Sequence, residues 1–320
     1  MEFFNSSIEL QRIVFLFGAV ASLLYKKKVG VTPGGIIVPG ILAGLLLTDF
    51  FTFLITIAIT VLTLLFYRYA LKRHALSNRW SSLGCISFSV IAGIIVTLLS
   101  KKYAAISQEA LSISLIAPGL ITISAKKYSF KSMAYATLIV TSVTVAAGIL
   151  LATYVPYHEL TYLNVRLGSY DFLRLRKLYI VVPVSLVASV FGYYRYGVRS
   201  GGYLIMPFLA VLAVDAPIQA LLITVGIALS YFIVKLIQKH TLIIGLERFV
   251  VSLFCGYFVV TICDYIAIAS GFEGYRPSSV ILLTTVAVIT NDLSLQPVKL
   301  VLLRGIMPAA IVSLIVVWIL

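Results

Sequence analysis

Apolar runs follow one another from one end of this chain to the other, separated by short basic or polar turns. With 61% hydrophobic residues, 11% charged residues and a mean hydropathy of +1.08, the sequence leaves little room for a water-soluble domain. The pattern predicts an all-α, polytopic integral membrane protein, multi-pass in a lipid bilayer. We place the runs at residues 9–25, 36–47, 50–71, 82–100, 111–125, 132–153, 178–194, 203–214, 217–237, 249–269, 279–290 and 300–320.

The lengths of these runs repeat in the order long, short, long, long, short, long. An ungapped offset of 167 residues aligns the two sets and pairs Gly34 with Gly201 and Gly35 with Gly202. Such a repeat predicts gene duplication, and it outweighs other sequence signals. The predicted organisation is a first membrane repeat at 9–153, a polar connection at 154–177 and a diverged second repeat at 178–320.

Each repeat contains a long, short, long unit twice. If every short run crosses the membrane, consecutive units are inverted relative to each other, which is a common architecture of transporters with broken helices. With the N-terminus outside and twelve crossings, 17 of the 25 Lys and Arg residues fall on the inner side, as the positive-inside rule requires. We therefore prefer crossing segments to re-entrant hairpins.

Two of the four short runs contain a Pro-Gly pair, and the first of them is entered through a second break at Pro33-Gly34-Gly35. Proline in a helix removes a hydrogen-bond donor and glycine adds backbone freedom, so a break there exposes backbone groups that lipid cannot satisfy. A plain kink supported by neighbouring helices is the alternative for any single pair, but the recurrence favours a polar path or substrate site, with the first repeat contributing more of it. The candidate residues are Pro33, Gly34, Gly35, Pro39, Gly40, Pro118, Gly119, Gly201, Gly202 and Pro207.

Basic residues lie in short clusters between the apolar runs, although the net charge is +14. This distribution indicates topology signals and no nucleic-acid partner. Lys72, Arg73, Arg79 and Arg248 lie on the predicted inner side, where they could gather a polyanion. The alternative is that they fix orientation and contact lipid headgroups.

The motif GVTPGGIIVPGILA at residues 30–43, followed by IAPGLIT at 116–122, resembles the PgsC/CapC family of poly-γ-glutamate capsule biosynthesis membrane proteins. Residues 9–153 cover the family pattern, and 178–320 resemble a diverged second copy. The chain departs from the pattern in having Lys26, Lys27 and Lys28 before the first motif. The resemblance implies a plasma-membrane complex with a cytosolic ATP-dependent amide ligase and an accessory membrane-anchored subunit, which makes or exports an anionic γ-linked glutamate polymer.

Catalytic and cofactor signals are weak. No GK[ST] follows Gly35, no paired acids lie on one run, and the three His and three Cys residues lack ligand spacing, so we predict neither a catalytic site, a metal nor a cofactor. Asp264 could be a proton-coupling site, but we prefer a position near the interface for it. The sequence predicts a non-catalytic membrane subunit offering a path or docking site to an anionic polymer. The alternative is a secondary transporter of a small organic anion; a membrane-embedded transferase has little residue support.

Overall fold

A computed structural model describes residues 8–74, 78–100, 117–154, 178–197, 205–271 and 280–319. These residues form twelve helical elements and, within the described ranges, no strand. The first six are α1 (Ile8–Val29), α2 (Val38–Thr48), α3 (Phe50–Leu71), α4 (Asn78–Ser100), α5 (Ala117–Ala125) and α6 (Phe130–Tyr154). The other six are α7 (Leu178–Tyr196), α8 (Ile205–Asp215), α9 (Pro217–His240), α10 (Leu246–Ala269), α11 (Val280–Leu295) and α12 (Val298–Ile319).

The predicted succession of helices and its duplication are confirmed. Adding 167 to the first residue of α2, Val38, gives the first residue of α8, Ile205, and the same shift relates α3 to α9. The chain separates into two compact units, unit 1 at Met1–Arg166 and unit 2 at Leu167–Leu320. The connection 154–177 lies almost wholly outside the described residues, so the predicted repeat boundaries stay predictions.

Within the part of the chain that the structure describes, five helices are long and apolar enough to cross a membrane, as expected for a multi-pass membrane protein. They are Phe50–Leu71, Phe130–Tyr154, Pro217–His240, Leu246–Ala267 and Val298–Ile319. Less than half of the most apolar window of each helix is buried within the protein. Their exposed Leu, Ile, Val and Phe side chains suit a lipid environment, where apolar surface needs no protein cover.

One face of α3 carries a row of buried threonines. Thr52, Thr56 and Thr63 are fully buried and Thr60 nearly so. The hydroxyls of Thr56, Thr60 and Thr63 each donate to the carbonyl four residues earlier, at 2.7 Å. The row satisfies its polar atoms within the helix and presents mainly methyl groups, so it packs closely without needing partners on other helices.

A single residue, Asp49, separates α2 from α3. Its carboxylate accepts hydrogen bonds from the backbone N–H of Thr52 at 3.0 Å and from the Thr52 hydroxyl at 2.7 Å. Asp49 is therefore the N-cap of α3, and its negative charge also interacts favourably with the positive end of the helix dipole. At the corresponding position in unit 2, Ala216 precedes α9 without a side-chain cap.

Replacing this cap should weaken unit 1. Asp49→Ala is expected to cost about 1 kcal/mol and to lower the melting temperature by roughly 2–4 °C, because the first-turn amide of α3 loses its acceptor. Thermal denaturation in detergent, followed by size-exclusion chromatography, measures the change. Asp49→Asn is the matched control, since asparagine caps nearly as well. Equal melting temperatures for Asp49→Ala and the unchanged protein would contradict the assignment.

Candidate functional site

Residues 30–37, which we call the non-helical segment, interrupt the chain between α1 and α2. Three glycines in it adopt left-handed backbone conformations, with φ of 82° at Gly30, 65° at Gly34 and 120° at Gly35. Pro33 and Gly34 are buried. Residues with a Cβ atom are strained at such φ angles. The three glycines therefore allow the backbone to follow this path.

Pro39 and Gly40 do not break a helix, contrary to the expectation from sequence. Pro39 occupies the first turn of α2, and the interruption lies before it in the non-helical segment. Proline is tolerated at a helix start, where its missing N–H has no intrahelical acceptor and its fixed φ suits the helix. The pair therefore starts the short helix, and the prediction of short, interrupted helices holds with the break moved towards the N-terminus.

Gly40 brings α2 against the backbone of α1. A Cβ atom added at Gly40 would lie 2.6 Å from the Phe15 carbonyl oxygen and 3.0 Å from Phe15 Cα. A Cβ added at Gly18 would in turn overlap Gly40 Cα. Two glycines facing each other let the helix backbones touch, as small residues do in membrane helix pairs.

Contacts with α6 show in which direction the chain runs from Gly34 to Leu47. A Cβ at Gly34 would lie 3.3 Å from Thr137 Oγ1, and a Cβ at Gly18, which faces Gly40, 3.3 Å from Thr144 Cγ2. Further on, Leu47 Cδ1 lies 2.9 Å from a Cβ built at Gly148. The contacts advance in one direction along α6, by 11 residues or about 16 Å. Between Gly34 and Leu47 the chain therefore does not turn back.

The short helix α5 runs the other way. A Cβ at Gly119 would lie 3.1 Å from Ile86 Cα, near the middle of α4, whereas Lys126, just after α5, contacts the first turn of α4. We call this end of unit 1, where α1 and α3 finish and α4 begins, the basic end, because Lys26–Lys28 and Arg68 lie there. Hence α5 runs from mid-depth to the basic end, and α2 from mid-depth to the opposite end.

The described parts of the two short helices begin close to each other at mid-depth. The non-helical segment joins them: a Cβ at Gly34 would lie 3.1 Å from Ile121 Cγ1, and one at Gly35 3.8 Å from Leu120 Cβ. Pro39-Gly40 lies in the first turn of α2, and Pro118-Gly119 lies in the first described turn of α5. A helix N-terminus carries partial positive charge and amides without intrahelical acceptors, so the start of α2 at this level favours an anionic group.

The same two-fold organisation appears in a comparison with known families. The capsule biosynthesis CapC family model matches residues 17–134 and 184–302, well over half of the chain. The chain belongs to the capsule biosynthesis CapC family. The matches begin 167 residues apart, the offset that also relates the helices, so the chain carries two tandem copies of the CapC pattern. Comparison with curated proteins and with solved structures found no match.

The second CapC copy differs at the two short helices. Pro207, at the position equivalent to Gly40, is buried in the first described turn of α8. Val286, at the position equivalent to Gly119, packs against Gly256, where a Cβ would lie 3.3 Å from Val286 Cγ1. The described part of α11 is one continuous helix through this point. Gly201 and Gly202 lie outside the described residues.

The basic candidates occupy different environments in this CapC-family chain. Lys72 and Arg73 are exposed just after α3, and the side chain of Arg79 lies outside the described part. Arg248 is half-buried at the start of α10, and its Nε donates to Asn291 Oδ1 at 3.2 Å. Arg248 therefore links two helices of unit 2, whereas Lys72 and Arg73 face the surroundings.

Several charged residues lie inside the protein or between its helices. Arg12 is fully buried in α1. Asp264 is 2% exposed and Asp292 6%, and the interface position of Asp264 stays a prediction. Lys126 makes three side-chain contacts, with Ser81, Ser82 and Tyr67. An ionisable residue beside an apolar run is the pattern that could have found them.

Proposed function

We propose that this CapC-family chain is a non-catalytic membrane subunit of a poly-γ-glutamate-type capsule polymer complex in the plasma membrane. In this proposal the non-helical segment and the N-termini of α2 and α5 form a polar path or docking site for the anionic polymer. The partners would be a cytosolic ATP-dependent amide ligase, which supplies the chemistry, and an accessory membrane-anchored subunit.

The observation that supports the path is the pairing of irregular backbone with two opposed short helices in unit 1. Non-helical backbone at membrane depth is tolerated only where protein or a water-filled cavity satisfies it. The N-terminus of α2 adds partial positive charge at this level, which matches a chain of carboxylates. Unit 2, with Val286 in place of the second glycine and a continuous α11, offers less of this arrangement.

Reconstitution tests the proposal directly. The full chain is expected to co-elute with a cytosolic ATP-dependent amide ligase, and polymer should form on addition of ATP and glutamate only when both are present. The ligase alone and the membrane protein alone are the controls. Polymer made at the same rate by the ligase without this chain would contradict the proposal.

A secondary transporter of a small organic anion is the second candidate, because opposed half-helices also form substrate sites in transporters. It predicts uptake of a small carboxylate by proteoliposomes containing this chain alone, driven by a proton or sodium gradient. Such uptake, with no dependence of polymer synthesis on the chain, would favour the transporter.

A further inference from the structure

An ammonium group bridges two helices at the basic end of unit 1. Lys126 directly follows α5, and its Nζ donates to Ser81 Oγ at 2.7 Å and to Ser82 Oγ at 3.2 Å, both in the first turns of α4. The same nitrogen lies 4.9 Å from the centroid of the Tyr67 ring. The side chain is half-buried, and this desolvation lowers the pKa of Lys126.

Acidic residues that could neutralise this charge are scarce in unit 1. Unit 1 contains five acidic residues, and the two in its described part are Glu9 and Asp49. Glu9 lies in the first turn of α1 and Asp49 caps the start of α3, about 27 Å along the helix axis from Tyr67, so both lie at the end opposite Lys126. A partly desolvated cation beside hydroxyls, a ring and the Cys85 thiol favours an anion as an added partner.

The geometry leaves room for such a partner on the nitrogen itself. A lysine ammonium has three N–H donors, and within the described residues two of them are directed at Ser81 and Ser82. The contacts also lie at the N-terminus of α4, where the helix dipole favours negative charge. The third N–H, which has the Tyr67 ring beside it, can be donated to an oxygen ligand that approaches from the basic end.

The turn that follows α5 contacts the start of the non-helical segment. Tyr128, two residues after Lys126, has its hydroxyl 3.3 Å from Thr32 Oγ1. Thr32 belongs to the first part of the segment, before Gly34 reaches α5. An anion held at Lys126 would thus lie at the entrance of the proposed path.

Unit 2 retains a cation at the corresponding place but surrounds it differently. At the offset of 167 residues, Arg248 is equivalent to Ser81 and Asn291 is equivalent to Ser124. The cation of unit 1, Lys126, follows the short helix, whereas the cation of unit 2, Arg248, lies at the start of the long helix. Glu247 and Asp292 flank Arg248 and Asn291 in the sequence, whereas no acidic residue is adjacent to Ser81 or Lys126. The comparison points to unit 1 as the copy that accepts an outside anion.

We propose that Lys126, positioned by Ser81 and Ser82, binds a carboxylate of the acidic polymer at the basic end of unit 1. This assignment rests on the proposed function, since it names the residue that first contacts the chain. A carboxylate is favoured over a lipid phosphate because the site adjoins the start of the non-helical segment through Tyr128 and Thr32.

Binding of short γ-linked glutamate oligomers to the full chain in phosphatidylcholine nanodiscs tests the assignment. Lys126→Gln is expected to weaken binding about tenfold, because it removes a charge-assisted hydrogen bond from a half-buried site. Lys127→Gln is the matched control: Lys127 is the next residue and is exposed, so its loss should change affinity by less than about twofold. Lys126→Arg, which keeps the charge, should bind within about threefold of the unchanged protein and shows that the site folds.

The outcomes separate the alternatives. Equal losses of oligomer affinity for Lys126→Gln and Lys127→Gln would mean that the oligomer is attracted by the overall positive charge of this end. That result would overturn the assignment. Oligomer binding that Lys126→Gln leaves intact, together with loss of co-purified phosphatidylglycerol, would assign the residue to a lipid headgroup and overturn it as well. No binding by the unchanged protein would overturn both this assignment and the proposed function, whereas binding unaffected by Lys126→Gln overturns the assignment alone.

Discussion

Gly40→Ala is expected to destabilise unit 1 by about 3 kcal/mol, the upper end of the usual cost of overpacking. The added methyl group would meet the Phe15 carbonyl oxygen at 2.6 Å, and this contact is with backbone, which cannot rotate away. The helices α1 and α2 must separate, and the non-helical segment moves with α2. Thermal denaturation of the purified protein should show a large decrease in melting temperature, and polymer output should fall with it.

Gly44→Ala on the same helix is the matched control. A Cβ at Gly44 has nothing within 4 Å, so the substitution should be neutral or stabilising by up to about 1 kcal/mol, since alanine favours a helix. The contrast distinguishes close packing from a general effect of removing a glycine. If Gly40→Ala proves as stable as Gly44→Ala, the two helices do not approach at Gly40.

Gly34→Ala is expected to reduce polymer output about tenfold or more at equal amounts of inserted protein. A φ of 65° costs an alanine about 1–2 kcal/mol, and the new methyl group would also press on Ile121 and Thr137, at 3.1 and 3.3 Å. The non-helical segment should therefore shift away from α5, which disturbs the proposed path. Output per inserted protein, measured in cells that carry the partner proteins, checks this.

Gly30→Ala distinguishes the effect of backbone strain from the effect of displacing the non-helical segment from α5. Gly30 also has a positive φ, 82°, but a Cβ there has nothing within 4 Å. It should carry the conformational cost alone and retain most of the output. A matching loss of output in both variants would attribute the effect to backbone strain and count against contact between the non-helical segment and α5.

The helices could be predicted from sequence because each depends mainly on local composition. Apolar runs bounded by basic turns located all twelve, and pairs such as Gly34 with Gly201 revealed the offset. Of the two breaks predicted before and within α2, the one at Pro33-Gly34-Gly35 lies in the non-helical segment. The one at Pro39-Gly40 was wrong because a Pro-Gly pair can either interrupt a helix or begin one. Whether the pair begins or interrupts the helix depends on the packing of Gly40 against Phe15. That contact joins residues far apart in sequence.

The candidate site was predictable only in part for the same reason. Pro33, Gly34 and Gly35 stand out as backbone signals, and the structure places Gly34 and Gly35 against α5. Lys126 is one of many basic residues on the predicted inner side, and no local pattern distinguishes it from Lys127. Its contact with Ser81 spans 45 residues and depends on α5 running along α4.

The glycine at the crossing of the short and long helices has changed sides between the two copies. In unit 1 the short helix supplies Gly119 against Ser89 and Ile86, and in unit 2 the long helix supplies Gly256 against Val286. Each copy thus pairs a glycine with a larger residue at this crossing. In unit 1 the glycine is on the short helix, and in unit 2 it is on the long helix. A chimera that moved α11 into unit 1 would set valine against serine and isoleucine, and the reverse exchange would leave glycine facing glycine with a void. In each half the short helix fits only the long helix of the same half. A single helix therefore cannot be exchanged between the halves without its partner.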